Sequence, residues 1–199
     1  MLTTQGRGLT TQGRGLAAKF IDYPITYDGS QLRSHWIYDS CEILGPALVA
    51  FIGPCHVQTS AMVDKMDARK NLHIFSESML HFIGEIFDLD LTKMILWQRL
   101  LVSLIGCEIE RQTGKTILRS GNDLFDGPHK LSVAIATLSP VSSLLHVGIN
   151  IISRNTPVPT QGLADYRIDP VPFANIILEQ LRSEWTGVKI ARVKVRGVS

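Results

Sequence analysis

The sequence predicts an α+β fold, with a mainly antiparallel sheet and flanking helices. Three observations carry that expectation. Thr116 to Ile152 is a strand-rich block broken by two turn signals, Ser120-Gly121-Asn122-Asp123 and Asp126-Gly127-Pro128. Segments with helical spacing of apolar residues stand on both sides of it. With 199 residues, 45% of them hydrophobic and 19% charged, the chain can bury a core without metals or disulfides, which excludes disorder as its main state.

Taken in order, Met1 to Leu16 has almost no apolar anchor. It carries TTQGRGL twice without change, at Thr3 to Leu9 and Thr10 to Leu16. The expectation is a disordered segment over residues 1–18 and a single domain over 19–199. Two undiverged copies read as a recent duplication or a misplaced start, not as a phosphate-binding loop. Lys19 to Tyr27 reads as an edge strand or hairpin interrupted by Pro24. Ser34 is placed to cap a short helix to about Ile43. Ala47 to Ile52 is an apolar run between Gly-Pro pairs, hence a buried strand that His56 to Gln58 could continue.

Ser76 to Phe87 has helical spacing at Met79, Leu80, Phe82, Ile83, Ile86 and Phe87, predicting an amphipathic helix. Asp90 or Thr92 then caps a second helix to about Ile105, with Ile95, Leu96, Leu100 and Leu104 on its apolar face and Gly106 as its stop. Asp169-Pro170 opens a third helix, with Phe173, Ile176, Ile177, Leu181 and Trp185 as its buried stripe and Gly187 as its end. Val188 to Val195 alternates with Lys189, Arg192, Lys194 and Arg196, predicting a final strand with a basic outer face.

Within the strand block, one segment alternates Leu131, Val133, Ile135 and Thr137 with Lys130, Ser132, Ala134 and Ala136. A second alternates Leu145, Val147, Ile149 and Ile151 with Leu144, His146, Gly148 and Asn150. A sheet face of small residues leaves room for a ligand, with Lys130, His146 and Asn150 as polar contacts at its edge. It would equally suit a closely packed helix, and both readings stand at this level.

These residues carry a resemblance. Gly121-Asn122-Asp123, then Lys130-Leu131-Ser132, then His146-Val147-Gly148-Ile149-Asn150, resembles the lipoate and biotin protein ligase superfamily. With Asp28-Gly29-Ser30 and Arg33-Ser34-His35-Trp36, the chain after about residue 19 more closely resembles a prokaryotic family, domain of unknown function 366. That resemblance implies the biotin/lipoate protein ligase fold. It also implies that Lys130 contacts an acyl carboxylate and phosphate, neutralising developing charge. Asn122 and Asp123 match the ligase turn, although both types suit hairpin turns anyway. Ser132 lies on the same strand. The pattern departs at Val133, where ligases carry a small residue, and at Gly45 to Gly53, which has no glycine-rich or arginine loop for a nucleotide. ATP is therefore left open as a cofactor, with no phosphate loop evident.

Arg33, Ser34, His35 and Trp36 place a cation, a hydroxyl, an imidazole and an indole together. Arg33 could hold an anion bidentately and Trp36 could wall a pocket. The sequence reading thus takes Lys130, His35 and His146 as catalytic candidates, and Arg33, Trp36, Asn122, Asp123, Ser132 and Asn150 as ligand contacts. The ligand expected is a small carboxylate or an acyl-adenylate-like molecule, handled by an acyl ligase or acyltransferase. A non-catalytic binding protein that keeps the fold is the alternative. RNA binding through the basic C-terminal strand is a weaker one, because Lys+Arg 20 against Asp+Glu 18 gives only +2, and Arg7 and Arg14 supply all of it. No metal is expected: the three cysteines are widely spaced, and His73 and His81 fit no ligand spacing. With no apolar run long enough for a bilayer, the setting expected is cytoplasmic and without membrane contact, and a homodimer stays open.

Overall fold

The computed structural model of the chain describes residues 15–65, 69, 74–152, 154, 156 and 158–198. Its elements are β1 (Ala17–Phe20), α1 (Trp36–Cys41), β2 (Ala47–Val57), β3 (Ile74–Ile86), α2 (Leu91–Thr113), β4 (Leu118–Ser120), β5 (Asp123–Asp126), β6 (His129–Lys130), β7 (Ser132–Leu138), β8 (Ser143–Ile152) and α3 (Pro170–Lys194). One sheet has five strands in the order β1-β2-β3-β8-β7, and a small one has β4-β5-β6. Among the described strands β1 pairs in parallel, on β2, and the other ladders are antiparallel. The fold is α+β with a mainly antiparallel sheet, as expected. The twin repeat lies almost wholly outside the described residues, and the segment expected to be disordered runs too far. Leu16 is buried in the core, and Ala17 and Ala18 begin β1.

The expected helix over Ser76 to Phe87 is a strand. β3 lies between β2 and β8, and its last eight residues are buried on both faces. Leu80, Phe82 and Ile86 enter the core beneath α2 and α3, whereas Met79 and Ile83 enter a second core on the opposite face. A strand covered on both sides carries apolar residues at both parities, so its period-2 signal vanishes and helix-like spacings arise by coincidence.

Both long helices start at the expected caps. Asp90 accepts from the Lys93 amide at 2.9 Å and Asp169 from the Val171 amide at 3.0 Å. Each satisfies an amide that the helix cannot. Replacing Asp90 by Ala should cost about 1 kcal/mol in urea unfolding, with an unchanged m-value. Both helices run beyond their expected ends. α2 passes through Gly106, which packs against Leu124, and stops at Gly114 with φ 70°. Its buried stripe is Met94, Trp97, Leu101, Val102, Ile105 and Ile109, and Leu96 points to solvent. α3 continues past Gly187 to Lys194, so the basic C-terminal strand does not form. Its last turns are exposed, because Trp185 is the last side chain to reach the core, against Trp97 at 5.1 Å between ring centroids. The strand face invoked for RNA goes with it.

Among the described residues, no helix is long and apolar enough to cross a membrane. The three cysteines are free thiols, and burial pushes the Cys55 thiol up to about 12, which makes it a packing residue.

Candidate functional site

The two small-residue faces read from the sequence point to opposite sides of the sheet. Val133 pairs with Gly148 and Ala134 with Val147, and directly paired residues share a face. The Ala134 and Ala136 side chains therefore pack against the core beneath the helices, while His146, Gly148 and Asn150 face the other way. On that second side lies a cavity of about 330 Å³.

Met79, not Gly148, lines the cavity at this point. A Cβ at Gly148 would sit 2.3 Å from Met79 Sδ and 3.3 Å from Val133 Cγ2, so the Met79 side chain lies across it. Met79, Val133, Ile135, Val57 and Phe75 give the walls their apolar character.

One end of the cavity is polar. Lys130 does not share a strand with Ser132. It ends β6 opposite Phe125, and after Leu131 the chain passes into β7 of the other sheet. Lys130 therefore sits at the junction of the two sheets, its ammonium 2.8 Å from Asp123 Oδ2, with both side chains partly exposed. Its backbone is held on both sides. Its amide donates to Pro159 O at 2.9 Å, and its carbonyl accepts from the Gln161 amide at 3.3 Å and from Asn150 Nδ2, also at 3.3 Å. Asn150 is thus the bolt between β6, β8 and the loop that carries Thr160. Ser132 Oγ accepts from the Leu124 amide at 2.8 Å, locking β7 to β5. Behind the loop, the Tyr166 hydroxyl donates to Asp126 and lies 2.9 Å from Gln161 Oε1. Lys115 and Tyr166 hold the Asp126 carboxyl below the usual carboxylate range.

The other end is aromatic and imidazole. His146 is buried, with Nε2 3.0 Å from His81 Nδ1, and His81 Nε2 is 3.2 Å from Gly53 O. Tyr27 stacks on His146 at 3.8 Å between centroids and 12° between planes, and Phe51 stacks on His81 at 4.9 Å. A carbonyl only accepts, so the His81 proton is on Nε2. Burial lowers His81 to about 3 and holds His146 well below the ordinary imidazole value, so both rings are neutral at pH 7. His81 Nδ1 then accepts, His146 Nε2 donates, and His146 Nδ1 is left with a lone pair.

Of the candidates read from the sequence, Lys130, Asn122, Asp123, His146 and Asn150 line this one cavity; Ser132 borders it, but pairs with Ile149 and turns its hydroxyl to the Leu124 amide on the helix side. Arg33, His35 and Trp36 do not. Arg33 pairs with Asp39 on the surface at 2.7 Å. Trp36 is buried against Phe51 at 5.9 Å, on the first turn of α1, filling the second core. His35, not Ser34, stands at the helix N-cap, with φ 63°; its amide donates to the buried Glu85 carboxylate, which also accepts from Ser142 Oγ. The Arg-Ser-His-Trp run is a strained helix entry fixed by Glu85. Sequence reasoning missed Tyr27 and His81. His81 is hidden in the strand whose spacing imitates a helix, and His73 lies outside the described residues.

Among the described residues, no group of three or more His, Cys, Asp or Glu side chains could hold a metal. The region Gly45 to Gly53, where the resemblance would put a nucleotide loop, is largely β2. Ala47 to Phe51 are buried there and carry no basic side chain. The residues present do not fit a phosphate cradle at that place.

Comparison with known proteins agrees with this architecture. An uncharacterized protein of Methanocaldococcus jannaschii is 33% identical over 158 residues, covering 76% of this chain and 71% of that one. The solved structure of a protein of unknown function from Pyrococcus horikoshi superposes with a TM-score of 0.86 at 35% identity, covering 93% of this chain and 100% of that one. A biotin protein ligase from Aquifex aeolicus, in complex with biotin and ATP, matches with a TM-score of 0.56 at 13% identity, over 88% of this chain and 72% of that one. At that identity the likeness shows the fold alone, which is the biotin and lipoate protein ligase fold. The family model described as Domain of unknown function (DUF366) matches residues 16–196, and the chain belongs to that family.

Proposed function

We propose that the protein binds a small carboxylic acid, or its acyl derivative, with the carboxyl end at Lys130 and the apolar body along the cavity. The carrying observation is one ammonium, paired with Asp123, in a preformed cavity whose lining is mainly apolar and also includes the Asp64 carboxylate. Such a cavity rewards burial of an alkyl body at about 25 cal/mol per Å², and a single cation orients the anionic end. The Asp123 carboxylate keeps the Lys130 ammonium in place before the ligand arrives. A carbonyl oxygen near Lys130 Nζ would gain electrostatic stabilisation as negative charge builds on it, which is the contribution an acyl transfer needs. The biotin complex of the Aquifex aeolicus neighbour supports the class of ligand, since biotin is itself an acid with an apolar tail. Because β2 stands where a nucleotide loop would be expected, the function proposed contains no nucleotide step.

The test is calorimetric titration and thermal shift with medium-chain acids and a non-hydrolysable acyl-adenylate analogue. A bound acid at about 100-fold its Kd should stabilise the wild type by about 2.7 kcal/mol. Lys130→Ala should weaken acid binding at least tenfold, about 1.4 kcal/mol, without changing the unfolding cooperativity. Lys130→Arg should retain part of it. Equal acid affinity in wild type and Lys130→Ala would refute the assignment.

A second reading, a binding protein without catalysis, is favoured by the Lys130–Asp123 pair and by the absence of a basic group along Ala47–Phe51. Hydrolysis of an acyl thioester by the wild type, lost in Lys130→Ala, decides between the two.

A further inference from the structure

We infer that the inner end of the cavity is a fixed hydrogen-bond acceptor, His146 Nδ1, and that it selects ligands carrying an O–H or N–H donor at the end remote from the carboxylate. The inference rests on the reading that Lys130 takes the carboxylate, and deepens it by naming the second recognition point.

The geometry comes from one strand. Asn150, which holds Lys130, and His146 lie on the same face of β8, four residues apart. That is roughly 13 Å along an extended chain. Between them, Met79 lies over Gly148 and lines the cavity with an apolar side chain. A cation and an imidazole therefore border the same cavity at points set apart along β8.

The imidazole can play one role only. Gly53 O fixes the His81 proton on Nε2; His81 Nδ1 takes the His146 Nε2 proton; the remaining nitrogen of the neutral His146 ring can only accept. Tyr27 and Phe51, stacked on the two rings, oppose their rotation. Among the described residues, the buried side-chain nitrogens and oxygens without a partner belong to Gln98, Gln180 and Trp185. The His146 Nε2 is taken by His81, no partner of Nδ1 stands among the described residues, and His146 lines the cavity. An acceptor inside apolar walls discriminates strongly, because a ligand ending in a methyl group leaves it unpaired once water is displaced.

The experiment compares ω-hydroxyoctanoate with nonanoate, which exchanges the hydroxyl for a methyl group at equal length, and adds octanediol, which lacks the carboxylate. Calorimetry on the wild type should show ω-hydroxyoctanoate binding roughly tenfold tighter than nonanoate. His146→Phe, which keeps a stacked ring under Tyr27, should bring the two acids to within about twofold of each other. Lys130→Ala should weaken both acids by the same factor and leave octanediol unchanged. If Lys130→Ala leaves acid affinity intact while the hydroxyl preference persists, the carboxylate reading fails and the acceptor site stands. No hydroxyl preference in the wild type, or no binding of either hydroxylated probe, overturns the acceptor site. Should His146→Phe fail to fold, nitrogen NMR of histidine-labelled wild type tests the same contact directly. The unprotonated Nδ1 resonance of His146 should shift with ω-hydroxyoctanoate and not with nonanoate, and an identical response to both probes overturns the inference.

Discussion

Between neutral pH and about pH 4 the folded state should lose about 3 kcal/mol from His81 alone. The unfolded imidazole takes up a proton near 6.5, while the buried ring does so only near 3. Across that window unfolding binds a proton, so stability falls as pH falls, by about 1.4 kcal/mol for each pH unit. His146 is shifted in the same direction, first by burial and then by His81, and adds to the slope. The groups that face the pair do not oppose it. Burial raises the Tyr27 hydroxyl and the Cys55 thiol well above their ordinary values, so both stay neutral throughout the window. The lowered carboxyls of Asp28, Asp126 and Glu108 act in a different range. Their contribution is present above the ordinary carboxylate value and is lost below it, as each is protonated in the fold. Urea unfolding midpoints taken from pH 7 to about 4 should therefore fall steeply in the wild type and much less in the double variant His81→Leu, His146→Phe. Equal slopes in the two proteins would show that the pair is not the source.

Among the described glycines, Gly53 should be the one where an added methyl group does most damage. A Cβ at Gly53 would lie 1.9 Å from the backbone oxygen of Ile25 and 2.6 Å from its carbonyl carbon. A flexible side chain could move aside, but this neighbour is backbone, and it is pinned. The Ile25 amide donates to Ile52 O at 3.2 Å, and the Tyr27 amide to Pro54 O at 2.9 Å. Relief requires the segment that carries Tyr27 to lift from β2, uncovering His146 and moving the Gly53 carbonyl that fixes the His81 tautomer. We expect a loss of about 4 kcal/mol or more, at the far end of single substitutions. Gly187→Ala is the control. It lies inside α3 with nothing within 4 Å of the added Cβ, and should stabilise by up to about 1 kcal/mol. A Gly53→Ala protein that unfolds within about 1 kcal/mol of the wild type would mean that this segment is not held as described.

Much of the architecture was legible because its signals are local. The turns at Gly121 and Gly127, both at positive φ, follow from Gly beside Asn, Asp and Pro, and the Asp caps of α2 and α3 stand where the sequence put them. The Lys130 motif was legible for the same reason. A hairpin turn followed by Lys-Leu-Ser is a contiguous string, and its fold implied where the lysine would stand. The helix ends were not legible. Gly106 and Gly187 read as stops, but a glycine ends a helix only if the chain there adopts the left-handed conformation, and packing against Leu124 keeps α2 going past Gly106. Arg33, His35 and Trp36 failed as site residues because adjacency in sequence says nothing of which side of the sheet a helix entry will face.

By itself, then, the sequence determined the α+β class, the strand block, two helix starts and the cation at the polar end of the cavity. Those depend on period, turn chemistry and short motifs, each set by neighbours a few residues apart. Only the tertiary structure decided that Ile74–Ile86 is a central strand. It alone set the two small-residue faces on opposite sides of the sheet, and brought His81 to His146 across 65 positions of chain. The physical reason is common to all three. Strand pairing and burial on two faces are contacts between distant segments, and a residue buried from both sides carries no local pattern that tells where its partner will be.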